Sequence, residues 1–307
     1  MPSKLAKFIE TAMYGIKPLI NNLSLEMERA GQDVLARGEL RRLPENLCVL
    51  RADVLREDGT DIPAEWFLPS GAPQEFAVLY FHGGAYMAGS LTSSRVLAVD
   101  FAQATGLNTL SFEYRLSPEH PYPAGIEDAK TVYLDLLKLG VCSSGVAFIG
   151  DSAGGGMACA LMLKLRDEGL PLPGVCVAIS PWTDLTLCGE SYRAKEKIDP
   201  LLALSKLERA REYYAPEELL THPYVSPAFG DFTGCPPTLI HVGSDEMLLD
   251  DARALEKAML CAGVEVELDV WEGLWHVWHA FDIPETRDAM QRIASYILGR
   301  LKCGGVG

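Results

Sequence analysis

Val146-Ala147-Phe148-Ile149-Gly150-Asp151-Ser152-Ala153-Gly154 is the stretch on which the fold turns. Its first four residues are an apolar run of strand length, and the residues after Ser152 open a helical segment that extends over 153–168. Between them stands a GxSxG pattern, Gly150-Asp151-Ser152-Ala153-Gly154. A strand that turns directly into a helix puts this serine in a strained backbone region, where side chains at the flanking glycines would clash. The helix N-terminus also directs positive partial charge toward the hydroxyl. Such a hydroxyl is a candidate nucleophile; the plainer alternative is a serine that only caps the helix.

Outward from this turn, apolar runs alternate with helical segments in both directions. The predicted strands are 77–81, 109–112, 146–149, 175–179, 238–242 and 264–270, and the predicted helices are 93–105, 124–139, 153–168, 250–262 and 286–302. Strands with no polar face, alternating with helices, indicate an α/β protein whose mostly parallel central sheet is flanked by helices on both sides. Ahead of them, 47–55 and 65–68 flank the turn signal Asp58-Gly59 and read as an antiparallel pair. Residues 186–222 break the rhythm: they are rich in charge and helix formers and contain no strand, which predicts an inserted helical lid. Near the N-terminus, Leu5, Phe8, Ile9, Ala12, Met13 and Ile16 form one apolar helical stripe as far as Pro18, and a second helical stretch covers 23–40. A stripe of this kind serves a membrane or a partner in some proteins, but packing on the protein's own body is the commoner use. The expected organisation is therefore a helical cap from 1–45 and 186–222, a catalytic core from 46–185 and 223–303, and a loose tail at 304–307.

A second chemical signal is His82-Gly83-Gly84-Ala85-Tyr86, directly after the strand at 77–81. Two adjacent glycines let the backbone turn N–H groups toward a substrate oxygen, the arrangement that stabilises an oxyanion. A phosphate-binding loop would show GxxxxGK[ST] or GxGxxG, and neither is present at this position; an ordinary turn remains the other reading. His82 reads as a brace for the loop rather than a base.

HGGAY followed some 70 residues later by GDSAGG resembles the bacterial branch of the hormone-sensitive-lipase family of α/β-hydrolase esterases. Glu113-Tyr114-Arg115-Leu116-Ser117-Pro118-Glu119, Pro121-Tyr122-Pro123-Ala124 and Ser180-Pro181-Trp182 fit the same family. The resemblance covers most of 47–300 and only loosely the N-terminal helices. It implies an α/β-hydrolase fold and a serine carboxylesterase acting on small esters with short to medium acyl chains, with no metal or cofactor. Where the family often has HGGG this chain has Ala85 in the last place, and the resemblance implies Gly83 and Gly84 as oxyanion donors, with the N–H of Ala153 as the third.

A serine nucleophile needs a base, and the base needs an orienting carboxylate, in the chain order Ser, acid, His. Past Ser152, the acid is expected just beyond the strand at 238–242, where Asp245 best matches the family; Glu246, Asp250 and Asp251 are its rivals. The base is expected after the last strand, where only His276 and His279 qualify, and His276 falls at the family's position after a Glu-Gly turn. Tyr86, Trp182, Leu201, Leu202, Tyr213, Tyr214 and Val277 are candidate pocket residues. An amidase or peptidase, an acyltransferase and a non-catalytic receptor on the same scaffold are the alternatives; receptors of that kind lose a triad member, whereas this chain has candidates for all three.

Composition narrows the partners. Lys plus Arg is 27 against 42 Asp plus Glu, a formal net charge of −15, so phosphate backbones and anionic headgroups are poor partners. The expected partner is a small ester, with no nucleic acid and no membrane, and with a homodimer along the last strand or the C-terminal helix as an implication of the resemblance. Eight cysteines show no CxxC and no Cys/His ligand spacing, which suggests reduced thiols in a cytoplasmic setting. Lys4, Lys7, Glu10 and Lys17 interrupt the first apolar runs, so no signal peptide is expected.

Overall fold

The computed structural model describes residues 1–21, 23–39 and 43–302; Leu40, Cys303 and the tail at 304–307 lie outside the described residues. Two helices come first, α1 (Lys4–Asn21) and α2 (Leu25–Glu39). α1 does not stop at Pro18 but includes it, because near a helix end the proline ring withholds one backbone donor while keeping a helical φ. The strand expected over 47–55 is broken at Ala52-Asp53 into β1 (Leu47–Arg51) and β2 (Val54–Leu55). β2 pairs only with β3 (Asp61–Ile62), across a turn in which the Asp58 side chain accepts the Thr60 N–H. The long antiparallel pairing belongs to β1 and β4 (Ala64–Pro69), with Leu47 opposite Pro69 and Arg51 opposite Glu65.

From there strands and helices alternate: β5 (Ala77–Phe81), α3 (Leu91–Thr105), β6 (Asn108–Phe112), α4 (Ala124–Lys138), β7 (Val146–Asp151), α5 (Ala153–Asp167) and β8 (Val175–Ile179). The insertion follows, with α6 (Ser191–Ala194), α7 (Leu204–Tyr214) and single turns at Glu217–Leu219 and Pro227–Phe229, before β9 (Thr238–Gly243), α8 (Leu249–Cys261), β10 (Val266–Trp271) and α9 (Pro284–Leu298). Eight strands form one sheet in the order β1-β4-β6-β5-β7-β8-β9-β10, antiparallel at the two β4 pairings and parallel elsewhere.

Side-chain alternation divides the core into two layers. Ala77, Leu79 and Phe81 of β5 join the cluster containing Ala129, Met157 and Leu255 of α4, α5 and α8. Val78 and Tyr80 join the cluster of Leu97 and Phe101 from α3 and Ile293 from α9. The loops that leave the carboxyl ends of the parallel strands collect on one side of the sheet, where open α/β folds place their chemistry.

The two N-terminal helices and the insertion meet over this side. Glu28 of α2 is 3.1 Å from Lys206 and 2.9 Å from Arg209 of α7, and the Lys17 ammonium donates to the Glu196 carbonyl at 2.7 Å. Ala6 and Met13 of α1 pack with Leu274, Trp275 and Trp278.

The packing of α5 against the sheet is unusually close. A Cβ at Gly154 would stand 2.1 Å from the Phe81 carbonyl oxygen, and one at Gly150 would stand 2.3 Å from the Gly154 carbonyl oxygen. No rotation of a side chain relieves a clash with backbone. Gly154→Ala is therefore expected to lower unfolding free energy by about 2 kcal/mol or more, read as a reduced urea midpoint at unchanged slope.

Candidate active site

Ser152 connects β7 to α5 with φ 54° and ψ −122°, a conformation that non-glycine residues rarely adopt. Its own backbone holds it there. The Ser152 N–H donates to the Ile179 carbonyl at 2.8 Å, and its carbonyl accepts from the Trp182 and Gly156 N–H groups at 3.0 and 3.1 Å. The side chain is thereby turned out of the sheet, and Ser152 Oγ lies 3.0 Å from His276 Nε2.

His276 sits in the loop between β10 and α9, and its other ring nitrogen, Nδ1, is 3.4 Å from Glu246 Oε2. Both residues are buried. Asp245, the acid expected from the sequence, does not reach the imidazole: its side chain is partly exposed, with Oδ1 3.4 Å from Lys195 Nζ of the insertion and within hydrogen-bond reach of the Ser244 hydroxyl. The acid facing His276 is thus the next residue, Glu246. Consecutive residues leaving a strand point apart, and the inward position falls to Glu246, which precedes the buried run Met247-Leu248-Leu249. Asp199, buried in the insertion, fixes this segment by accepting the Met247 N–H at 3.0 Å on one oxygen and the Leu201 and Leu202 N–H groups on the other. Nothing in the local sequence pattern around Asp199 marks this role.

Electrostatics separate the two candidate histidines. Burial pushes the His276 imidazole down, but the Glu246 carboxylate beside it, together with the charges of Asp199 and Asp151, outweighs burial and leaves the pKa raised above the ordinary value. His279 is equally buried and has no carboxylate; it pairs with His241 (ring nitrogens 3.1 Å apart), and burial with these neighbouring imidazoles holds it well below the usual range. Desolvation with a carboxylate partner makes a base; desolvation beside another imidazole makes a neutral packing residue.

The loop after β5 departs from expectation at one donor. The Gly83 N–H donates to Asp151 Oδ1 at 3.0 Å, so it is already occupied, and a Cβ at Gly83 would stand 2.2 Å from Asp151 Oδ2. Asp151 also accepts the Tyr80 hydroxyl at 2.7 Å; it ties the loop to β7. The next two residues, Gly84 (φ 121°) and Ala85 (φ 54°), have N–H groups that donate to nothing among the described residues. Ala153 opens α5, where the first N–H groups have no intrahelical acceptor. Among the described residues, the backbone N–H groups of Gly84, Ala85 and Ala153 therefore have no acceptor. His82 braces the loop through Nδ1, which donates to the Gly83 carbonyl at 2.7 Å, and its ring stacks on Tyr114; burial pushes its pKa down to about 4, so it stays neutral.

The expected pocket residues fall into two groups. Tyr86, Trp182 and Tyr214 are almost fully buried in the main core cluster, with the Tyr86 and Tyr214 rings stacked at 3.9 Å. Leu201, Leu202, Tyr213 and Val277 keep exposed surface. Val277 follows His276 with φ 50° and donates its N–H to Ser180 Oγ at 3.1 Å. Among the described residues no group of three or more His, Cys, Asp or Glu is placed to hold a metal ion.

Residues 78–280 match a family of the α/β-hydrolase fold. An acetyl-hydrolase of Streptomyces hygroscopicus is 43% identical over 236 residues, covering 76% of this chain and 79% of the relative. A solved esterase of the bacterial hormone-sensitive lipase family superposes with a TM-score of 0.91 at 34% identity, over 98% of this chain and all of the other. The chain belongs to this family. An esterase of Acinetobacter venetianus, 36% identical over 71% of this chain and 73% of its own length, is a further relative. The protein is accordingly an ester-hydrolysing serine hydrolase, a carboxylic ester hydrolase of the α/β-hydrolase fold.

The base must be neutral to accept a proton, and it loses this form as pH falls through its folded pKa. Because that pKa is raised, the acid limb of kcat/KM is expected to have its midpoint above the ordinary imidazole value of about 6.5. Glu246→Gln removes the first-ranked raising influence and leaves burial opposed only by Asp199 and Asp151, so the limb should move to lower pH while kcat falls about 10³- to 10⁴-fold. Asp245→Asn, which breaks only a partly exposed pairing with Lys195, should stay within about threefold of wild type. A pH–rate profile of the three proteins on p-nitrophenyl butyrate checks both.

Proposed function

We propose that Ser152, His276 and Glu246 form the catalytic triad and that the N–H groups of Gly84, Ala85 and Ala153 form the oxyanion hole. The observation that carries this reading is the 3.0 Å approach of Ser152 Oγ to His276 Nε2, with a buried carboxylate on the opposite ring nitrogen. His276 takes the hydroxyl proton as Oγ attacks the ester carbonyl carbon, and Glu246 holds the imidazole with Nδ1–H turned inward and stabilises the imidazolium. Charge passes to the carbonyl oxygen, which the three free N–H groups receive; each such donor is worth about 3 kcal/mol in the transition state. The imidazolium returns its proton to the leaving alcohol as the tetrahedral species collapses. Water, deprotonated by His276, then releases the acid and restores Ser152.

We read α1, α2 and residues 186–222 as a cap over the site, on the strength of their contacts with each other and with the loop that carries His276. Leu201, Leu202, Tyr213 and Val277 are its candidate lining residues. The substrate class we propose is small esters with short to medium acyl chains, in keeping with a relative named for acetyl hydrolysis. The seven described cysteines form no disulfide with one another, and no helix among the described residues is long and apolar enough to cross a membrane; both fit the cytoplasmic setting we favour. The open edge of the sheet at β10 supports a homodimer, which analytical ultracentrifugation tests.

Ser152→Ala should reduce p-nitrophenyl butyrate hydrolysis to the level of buffer while circular dichroism stays native. Among p-nitrophenyl esters, the rate should be highest for short to medium chains and fall for palmitate. A faster reaction on the butyryl anilide than on the ester would contradict the proposed substrate class.

A further inference from the structure

The loop that presents the oxyanion donors does not hold its own shape. Gly84, Ala85 and Tyr86 all have φ between 54° and 121°, and two of the three are not glycine. Backbone of this kind persists only where its surroundings over-determine it. Most of the restraints come from the hydrolase core: Asp151 takes the Gly83 N–H, Tyr114 donates its hydroxyl to the His82 carbonyl at 2.9 Å, and Ser117 donates both its N–H and its hydroxyl to the Tyr86 carbonyl at 2.9 and 3.0 Å.

One restraint comes from elsewhere. Arg29 of α2 reaches down to the far end of the loop, where Nε donates to the Met87 carbonyl at 2.7 Å and a terminal nitrogen donates to the Ser117 carbonyl at 2.9 Å. The same guanidinium is aligned by Glu119, which accepts from both terminal nitrogens at 2.8 Å and is held ionised by them, its pKa drawn down to about 2. The planar fork thus spans two backbone carbonyls and a carboxylate at once, a task that suits guanidinium and not ammonium. Among the described residues, Arg29 is the one side chain of the two N-terminal helices that hydrogen-bonds to residues 83–87.

We propose that Arg29 is a positioning residue for the oxyanion hole: it joins Met87 to Ser117, and so makes the working shape of the Gly84-Ala85 segment conditional on α2 being seated on the core. The cap then contributes to transition-state stabilisation as well as to covering the site. This rests on the assignment of Gly84, Ala85 and Ala153 as oxyanion donors, and a loss of order in the loop should be felt where charge develops on the substrate oxygen rather than where the ester first binds.

The test compares Arg29→Ala, Arg29→Lys and Glu28→Gln, the last removing the charge from the neighbouring ties to Lys206 and Arg209 without touching the loop. For Arg29→Ala, kcat on p-nitrophenyl butyrate is expected to fall about 10- to 100-fold with KM within about twofold. Affinity for a trifluoromethyl ketone, whose adduct oxyanion needs the same donors, should fall by a similar factor. Arg29→Lys should lie between Arg29→Ala and wild type, ethylguanidinium should restore part of the kcat of Arg29→Ala, and Glu28→Gln should retain wild-type kcat. Unchanged kcat and ketone affinity in Arg29→Ala would overturn the proposal, as would an equal loss in Glu28→Gln, which would mean that any loosening of the cap suffices. If Arg29→Ala does not fold, Arg29→Lys decides by the same kcat and ketone measurements. The underlying hydrolase reading fails separately, if wild-type turnover survives Ser152→Ala.

Discussion

A serine held at φ 54° is the constraint on which everything else in this molecule depends. L-residues avoid that conformation, so the surrounding structure has to supply the difference, and it does so by bringing backbone into contact with backbone. α5 lies so near the ends of β5 and β7 that Gly150 and Gly154 have no room for a methyl group, and both polar groups of the Ser152 backbone are bonded to the residues around β8. With those contacts in place the serine is presented to the loop after β10, and His276 Nε2 lies 3.0 Å from its hydroxyl oxygen. A parallel sheet supplies this geometry because all of its central strands deliver their connecting loops to the same side.

Burial does the rest of the selection. The loop from 272 to 280 contains two buried imidazoles, and what distinguishes them is the group on the far nitrogen: a carboxylate for His276, another histidine for His279. Asp245 and Glu246 are distinguished in the same way, one beside Lys195 at the edge of the insertion and the other enclosed. The same logic extends to the loop after β5, where Asp151 occupies the first glycine N–H and the N–H groups of the next two residues have no acceptor among the described residues.

Much of this was legible in the chain itself. The strands at 77–81 and 175–179 lie where the apolar runs place them, and the other parallel strands and their helices agree to within a few residues, because a strand buried on both faces cannot hide its composition. Ser152 and His276 are equally plain, since their local motifs carry the turn and the loop with them. Adjacent residues were harder. Asp245 and Glu246, or Gly83 and Gly84-Ala85, differ by a single step along the chain, and which one faces inward depends on contacts from Asp199 and Asp151 that are remote in sequence or have no pattern of their own. The break of the first predicted strand at Ala52-Asp53 is of the same kind, as is the burial of Tyr86, Trp182 and Tyr214: it is tertiary packing, not periodicity, that decides it.

The proposed mechanism requires covalent chemistry at one oxygen, that of the Ser152 hydroxyl. Rapid acid quench of the enzyme during turnover of p-nitrophenyl butyrate, followed by peptide mass spectrometry, reads this directly. A butyryl group on the peptide containing Ser152, localised to that serine and absent when Glu246 is replaced by glutamine and sampled at the same early time, is the predicted result. A butyryl group on any other residue, or steady hydrolysis with no acylated peptide at any quench time under conditions where deacylation is slow, would contradict it.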